Sequence, residues 1–255
     1  MTSNGASVVG GKRAVLEAIR AGVASEVLVS EGARRNDAIR DVLSSAARGG
    51  VPVTEVDRAE LDGLAADHRG IAARVTSDPD AAPLTERDLG SRAWAEDAIA
   101  VVLDGVEDPQ NLGAAARCAE AAGAAVLVTR THRAAPISPA AIRASAGALL
   151  HVPTARVANI SRAIDRLRDA GFTAVGLDGD AERSIYDEPC PGGCVALVVG
   201  AEGSGLSRLV RERCDLLVSL PMRGRVGSLN ASASLAAALY AYVLPARAGA
   251  ATSPG

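Results

Sequence analysis

Residues 220–242 read Leu-Pro-Met-Arg-Gly-Arg-Val-Gly-Ser-Leu-Asn-Ala-Ser-Ala-Ser-Leu-Ala-Ala-Ala-Leu-Tyr-Ala-Tyr. The largely apolar run Leu216 to Leu220 leads into this stretch and predicts a buried strand. A glycine-punctuated loop follows from Pro221 to Gly227. After Ser228 the chain is rich in alanine and leucine and free of Pro and Gly, the composition of a stable helix. A strand, a loop of open backbone amides and a helix N-terminus together suit a polar, partly anionic small ligand. An ordinary strand–loop–helix joint is the plain structural alternative.

Two further stretches weigh against that alternative. One is Asn111-Leu112-Gly113-Ala114-Ala115-Ala116-Arg117, and the other is Gly200-Ala201-Glu202-Gly203-Ser204-Gly205. In chain order the set is N-x-G-x-x-x-R, then G-x-E-G-x-G, then P-M-x-G-x-x-x-S-L-N. It resembles the three motifs of the SpoU (TrmH-like) RNA 2′-O-ribose methyltransferases. Roughly 80 residues separate the first two motifs and roughly 20 the last two, which fits that family. The resemblance spans about residues 8–245. In layout the chain looks most like the bacterial 23S rRNA (guanosine-2′-O-)-methyltransferases.

Composition sets outer bounds. The 255 residues suffice for a substantial core, and 48% are apolar but only 2% aromatic, so that core must be packed from Ala, Val and Leu. No apolar stretch reaches the length of a membrane span, and no basic segment leads into an apolar block, so a cytoplasmic protein is expected. Cys118, Cys190, Cys194 and Cys214 are too scattered for a secreted disulfide framework. Cys190 and Cys194 bracket Pro-Gly-Gly without a second pair or a nearby histidine, so a surface turn is expected there and no metal. The net charge of −3 is not that of a simple RNA-coating protein. Yet Lys12 is the only lysine, so nearly all positive charge is arginine, the side chain suited to phosphate. Arg130, Arg133, Arg208, Arg211, Arg213, Arg223 and Arg225 lie in or near the motifs, with solvated, paired faces as the structural alternative.

Along the chain, residues 1–6 read as a frayed terminus. Helices are expected over 12–21, 36–47 and 58–66, and strands over 25–29, 51–56 and 71–75. This makes a small α/β domain over 1–76. A polar, Pro-containing linker is expected over 77–95. A catalytic domain follows over 96–247, with strands over 98–103, 124–129, 152–157, 172–177, 195–199 and 216–220. Helices over 111–122, 136–149, 160–170 and 206–214 alternate with them. That alternation predicts a mainly parallel sheet covered on both faces. Residues 248–255 read as a disordered tail.

The family resemblance implies more. The fold would be an α/β SPOUT-type sheet with a C-terminal trefoil knot, although composition alone would predict an unknotted sheet. The preceding domain, through Val9-Gly10-Gly11-Lys12-Arg13 and His68-Arg69-Gly70-Ile71, resembles the family's L7Ae/L30e-like substrate-binding domain. Lys12, Arg13 and Arg69, with Arg133 and Arg143 further on, would contact RNA. His68 can equally be a turn histidine capping a strand.

S-adenosylmethionine would be held by Thr129, Gly200, Leu220, Met222, Ser228 and Leu229. Asn111, Arg117, Glu202, Ser228 and Asn230 would form the catalytic set. N-capping is the alternative for Ser228 and Asn230, and a structural ion pair with Glu202 or Asp104 is the alternative for Arg117, pictured as half-buried. In the family the arginine matching Arg117 has been proposed as the base. A guanidinium stays protonated, so alkoxide stabilisation and phosphate anchoring suit Arg117 better. A homodimer is implied, acting on RNA, most naturally rRNA. Antibiotic-resistance rRNA enzymes, tRNA ribose methyltransferases, an inactive RNA-binding assembly factor and a small-molecule methyltransferase remain open alternatives. A dinucleotide fold is excluded because Gly200-x-x-Gly203-x-Gly205 has the wrong glycine order, and a P-loop because Lys12 stands elsewhere.

Overall fold

The computed structural model describes residues 7–33, 36–65, 67–75, 84–225 and 227–246. The expected frayed terminus 1–6, the tail 248–255 and the first part of the linker lie outside the described residues. Two compact units emerge, Met1–Ala82 with Ile137–His151, and Pro83–Pro136 with Val152–Gly255.

The first unit contains β1 (Ser7–Gly10), α1 (Lys12–Arg20), β2 (Ala24–Ser30), α2 (Asp37–Arg48), β3 (Val53–Val56), α3 (Arg58–Leu64) and β4 (Ile71–Val75). Its sheet has the order β1-β4-β2-β3, with β4 antiparallel to both neighbours and β2 parallel to β3. Strand β1 was not expected from sequence. It is only four residues long, and its identity comes from pairing Ser7–Gly10 with Ala72–Val75. Helix α1 buries Ala14, Val15, Ala18 and Ile19 on one face, the spacing of an amphipathic helix.

The chain continues through α4 (Glu86–Ser91), β5 (Ile99–Asp104), α5 (Pro109–Ala121) and β6 (Val126–Arg130) of the second unit. It returns to the first unit for α6 (Pro139–Ala144). The second unit is then completed by β7 (Thr154–Val157), α7 (Ile160–Asp169), β8 (Thr173–Leu177), β9 (Val195–Gly200), α8 (Arg208–Arg211), β10 (Leu216–Val218) and α9 (Ala231–Ala238). Its six strands run in the order β10-β8-β9-β5-β6-β7, and every pairing is parallel. The central strands β5 and β9 are buried along their whole length, which is why they read as unbroken apolar runs. Helix starts follow local chemistry. Asp108 caps α5 through the Gln110 N–H with Pro109 in the first turn, and Asn159 and Asn230 cap α7 and α9.

Three expectations give way. From Leu84 onward the linker read over 77–95 is structured. Leu84 bridges Ala155, and Leu89 of α4 is fully buried in the core beneath α7. The polar composition misled because α4 buries a single leucine, while Glu86 pairs with Arg162 of α7 and Asp88 serves the helix start. Thr85 donates its N–H and its hydroxyl to Asp88, and these bonds hold the Asp88 carboxyl below its ordinary value. Secondly, the helix expected over 136–149 is broken. After α6 the backbone turns left-handed at Ala146 and Gly147 (φ 52° and 94°), and a short 3-10 turn, Ala148–Leu150, follows. Gly147 is required here, since a Cβ would lie 2.3 Å from Glu17 Cβ on α1. This segment packs with the rest of the first unit through α1 and β1. Thirdly, α9 passes into a π-helical turn over Leu239–Val243, and the Tyr242 hydroxyl there donates to Pro189 O at 3.1 Å.

Trp94, beside α4, stacks edge-on with Phe172 at 5.5 Å and donates its Nε1–H to Leu89 O. Leu89→Ala should lower the stability of the second unit by about 2–5 kcal/mol, the cost of a leucine-sized cavity. Denaturant unfolding checks this, and an unchanged midpoint would return residues 84–95 to linker status.

Candidate active site

All six strands of the second sheet point the same way, so their carboxyl ends share one edge, where open α/β sheets place ligand sites. Two cavities lie on this edge. The larger, about 620 Å³, is bounded by the ends of β8, β9 and β10 and by the start of α9. Gly200, Glu202, Leu220, Met222, Ser228 and Leu229 line it, so five of the six expected cofactor residues converge there. The smaller, about 400 Å³, lies over the end of β5 and contains Asn111, Glu107 and Asp108. Ala201, Glu202, Ser204 and Ala231 line both cavities. The loop after β9 is therefore the wall between them.

That wall is built from backbone. Ala201 and Gly205 exchange N–H···O bonds of 3.1 and 2.9 Å, closing a tight turn with Glu202, Gly203 and Ser204 at its tip. Gly203 and Gly205 hold left-handed conformations, with φ of 78° and 64°. At Gly200 a Cβ would sit 2.1 Å from the carbonyl carbon of Gly205, so only glycine fits beneath the turn. Two side chains tether the loop. Asn111 donates from Nδ2 to Glu202 Oε1 at 2.9 Å. The Ser207 N–H donates to Asp104 Oδ2 at 2.8 Å, while Arg130 Nη2 donates to Asp104 Oδ1 at 2.9 Å. Asp104 is only 3% exposed and pairs in register with Gly200 across β5 and β9. Sequence reading offered Asp104 as a possible ion-pair partner of Arg117; the structure gives it instead to Arg130 and the Ser207 N–H.

The remaining expected residues distribute unevenly. Asn111 is neither the first residue nor the cap of α5; it is the third residue, because Asp108 takes the cap. Arg117 is exposed rather than half-buried, lines neither cavity, and forms no ion pair among the described residues. The structural alternatives for it are removed, since Glu202 bonds Asn111 and Asp104 bonds Arg130. Asn230 caps α9 through the Ala233 N–H at 2.8 Å and does not line the cavity. Thr129 lies buried in β6, outside both cavities, with its hydroxyl unpartnered among the described residues.

In the first unit Lys12 lies 3.7 Å from Asp41, and Arg13 and Arg69 are exposed. Buried His68 accepts the Gly70 N–H at Nδ1 (2.9 Å), which leaves its proton on Nε2, facing Asp62 at 2.8 Å. The histidine thus shapes the turn that holds Arg69 in a left-handed conformation. Arg143 belongs to α6, in the same unit, and Arg133 is exposed on the loop after β6.

A parallel sheet with a glycine-walled cleft at its carboxyl edge, tethered to an N-x-G-x-x-x-R helix, defines a methyltransferase of the SPOUT class. The chain belongs to the SpoU rRNA methylase family, whose model matches residues 98–240, and residues 8–81 match the RNA 2′-O ribose methyltransferase substrate-binding domain. It is 40% identical over 221 residues to the 23S rRNA (guanosine-2′-O-)-methyltransferase RlmB of Vibrio cholerae, covering 86% of this chain and 87% of that protein. It is 41% identical to an uncharacterized tRNA/rRNA methyltransferase of Mycolicibacterium vanbaalenii, covering 88% of this chain and 72% of the relative. Among solved structures, the SpoU methyltransferase AviRb of Streptomyces viridochromogenes in complex with AdoMet superposes with a TM-score of 0.74 at 27% identity, covering 95% of this chain and 91% of that one. No helix among the described residues is long and apolar enough to cross a membrane, and no described cluster of His, Cys, Asp or Glu could hold a metal ion.

Gly200→Ala should reduce S-adenosylmethionine affinity by about five- to 150-fold, because the added Cβ must displace the wall turn, an overpacking cost of roughly 1–3 kcal/mol. Calorimetric titration with the cofactor measures it, and undiminished affinity would remove the turn from the site.

Proposed function

We propose that this chain methylates a ribose 2′-hydroxyl of a 23S rRNA guanosine, with the larger cavity holding S-adenosylmethionine and the smaller receiving the target nucleotide. The observation that carries this reading is the shared wall at Ala201–Ser204, which sets the two cavities side by side. When bound, the cofactor supplies an electrophilic sulfonium methyl. The cavity suits it: Leu220, Met222 and Leu229 offer apolar contact, Gly200 leaves the backbone bare, and Asp178, Asp180 and Glu202 outnumber Arg211, favouring a cation. Asn111 orients Glu202, which faces both cavities and is the carboxylate bonded to the tethered helix. We assign Glu202 to orienting the target ribose, with Ser228 and the Asn230-capped start of α9 shaping the cofactor's surroundings.

Arg117 stabilises the developing alkoxide and anchors the neighbouring phosphate. Its exposure, and its absence from both cavities of its own chain, support a homodimer in which it enters the partner's cleft. Exposed Leu229 and Tyr240 provide apolar surface for such a contact. The chain's first domain, 1–76, is read as L7Ae/L30e-like and as the RNA-recruiting part through Lys12, Arg13 and Arg69, joined by Arg143 of α6, which belongs to the same compact unit, with 96–247 read as catalytic. The C-terminal segment is read as a trefoil knot; the packing of α9 on α5 and β9, while β10 lies beyond β8, supports that threading. A cytoplasmic site of action follows from the rRNA substrate.

Mapping ribose methylations lost from ribosomal and transfer RNA on deletion of the gene tests the substrate. Arg117→Ala should lower methyl transfer by about 100-fold or more, as loss of an oxyanion-stabilising donor does, with cofactor affinity unchanged. Single-turnover methylation beside calorimetry separates the two, and equal loss of both would make the arginine structural.

A further inference from the structure

Ion pairing sorts the arginines that sequence alone groups together. Arg130 is committed to buried Asp104, Arg211 to Asp178 at 3.0 Å, Arg213 to Asp165 at 3.6 Å, Arg208 to Glu212 and Arg183 to Glu188. Three arginines on the carboxyl-edge loops form no ion pair among the described residues. Arg133 is exposed on the loop after β6, and Arg223 and Arg225 are exposed on the loop after β10. In strand order β10-β8-β9-β5-β6-β7, these two loops stand on either side of the β8, β9 and β5 ends that carry the cavities. The strands they follow, β10 and β6, are four spacings apart, roughly 19 Å, and the loop after β10 leans from its strand over the larger cavity, so the arginines border the openings within reach of a few nucleotides.

The cavity linings have the opposite charge. The larger carries Asp178, Asp180 and Glu202 against Arg211, and the smaller carries Glu107, Asp108 and Glu202 with no basic residue among those lining it. A phosphodiester is disfavoured inside either cavity, whereas a cation is favoured. Apart from the one phosphate assigned above to the partner subunit's Arg117, a polyanion brought to this edge must therefore be held outside the openings, where guanidinium groups are uncommitted.

We propose that Arg223 and Arg225 on one flank and Arg133 on the other form a phosphate rim that lays the RNA backbone across the cleft, leaving one nucleotide over the smaller cavity. This deepens the function proposed above and rests on it. Such contacts position the RNA without reading its sequence, so mixed-sequence single-stranded RNA is a fitting probe.

The test compares wild type with R223Q/R225Q, R133Q and the charge-retaining R223K/R225K. It reads RNA affinity against salt concentration and cofactor affinity by calorimetry. The glutamine variants should bind RNA more weakly, with the log–log salt slope reduced by about 0.7 for each phosphate left unneutralised. Cofactor affinity should stay at the wild-type value, and the lysine variant should keep the wild-type slope. Wild-type affinity and slope in both glutamine variants would overturn the rim while leaving the function intact. Lost cofactor binding, or a lysine variant as impaired as the glutamine one, would instead make the arginines shapers of the loop and overturn the rim too. A wild-type protein that binds RNA without salt dependence would sink the rim and the parent reading together.

Discussion

The second unit depends on one buried carboxylate. Asp104 ends an otherwise apolar strand at the centre of a parallel sheet, where an uncompensated charge would be costly. Arg130 and the Ser207 N–H compensate it from two directions, and those two partners tie the neighbouring strand β6 and the loop after β9 to the same point. The glycine-walled turn is consequently held at its base by Asp104 and at its tip by Asn111. Both tethers are polar, and both act on a loop with almost no apolar side chains to anchor it. Rigidity in the wall comes from hydrogen bonds rather than packing.

The charge distribution follows from the same economy. Among the described arginines of the second unit, Arg130, Arg162, Arg166, Arg168, Arg183, Arg208, Arg211 and Arg213 close ion pairs, many of them exposed and individually worth little. Their arrangement matters more than their sum. Acidic side chains line the cavities and uncommitted guanidinium groups border them, so a chain with net charge −3 can still present a positive path to a polyanion.

Much of this was legible in the sequence. The fully buried strands β5 and β9 were visible as continuous apolar runs, and the glycine and Ser-Leu-Asn motifs marked the loops that converge on the larger cavity. What escaped depended on partners distant in the chain. Strand β1 exists because β4 pairs with it, and α4 is ordered because Leu89 meets α7, neither of which a local pattern encodes. The offset of α5 was decided by Asp108 and Pro109 outcompeting Asn111 for the helix start, a choice that local capping rules could have made. Arg117 was misjudged as half-buried because flanking alanines suggest a covered face; the structure turns it to solvent.

The poverty of aromatic residues has a practical side. Trp94 is the only tryptophan in the chain, and it sits against Phe172 and Leu89 inside the second unit. Its emission therefore reports on melting of that unit, while the sheet formed by residues 7–75 can unravel without a change in tryptophan fluorescence. An unfolding curve followed by intrinsic fluorescence alone would look two-state even if the halves of the molecule came apart at different temperatures, and circular dichroism would be needed to tell them apart.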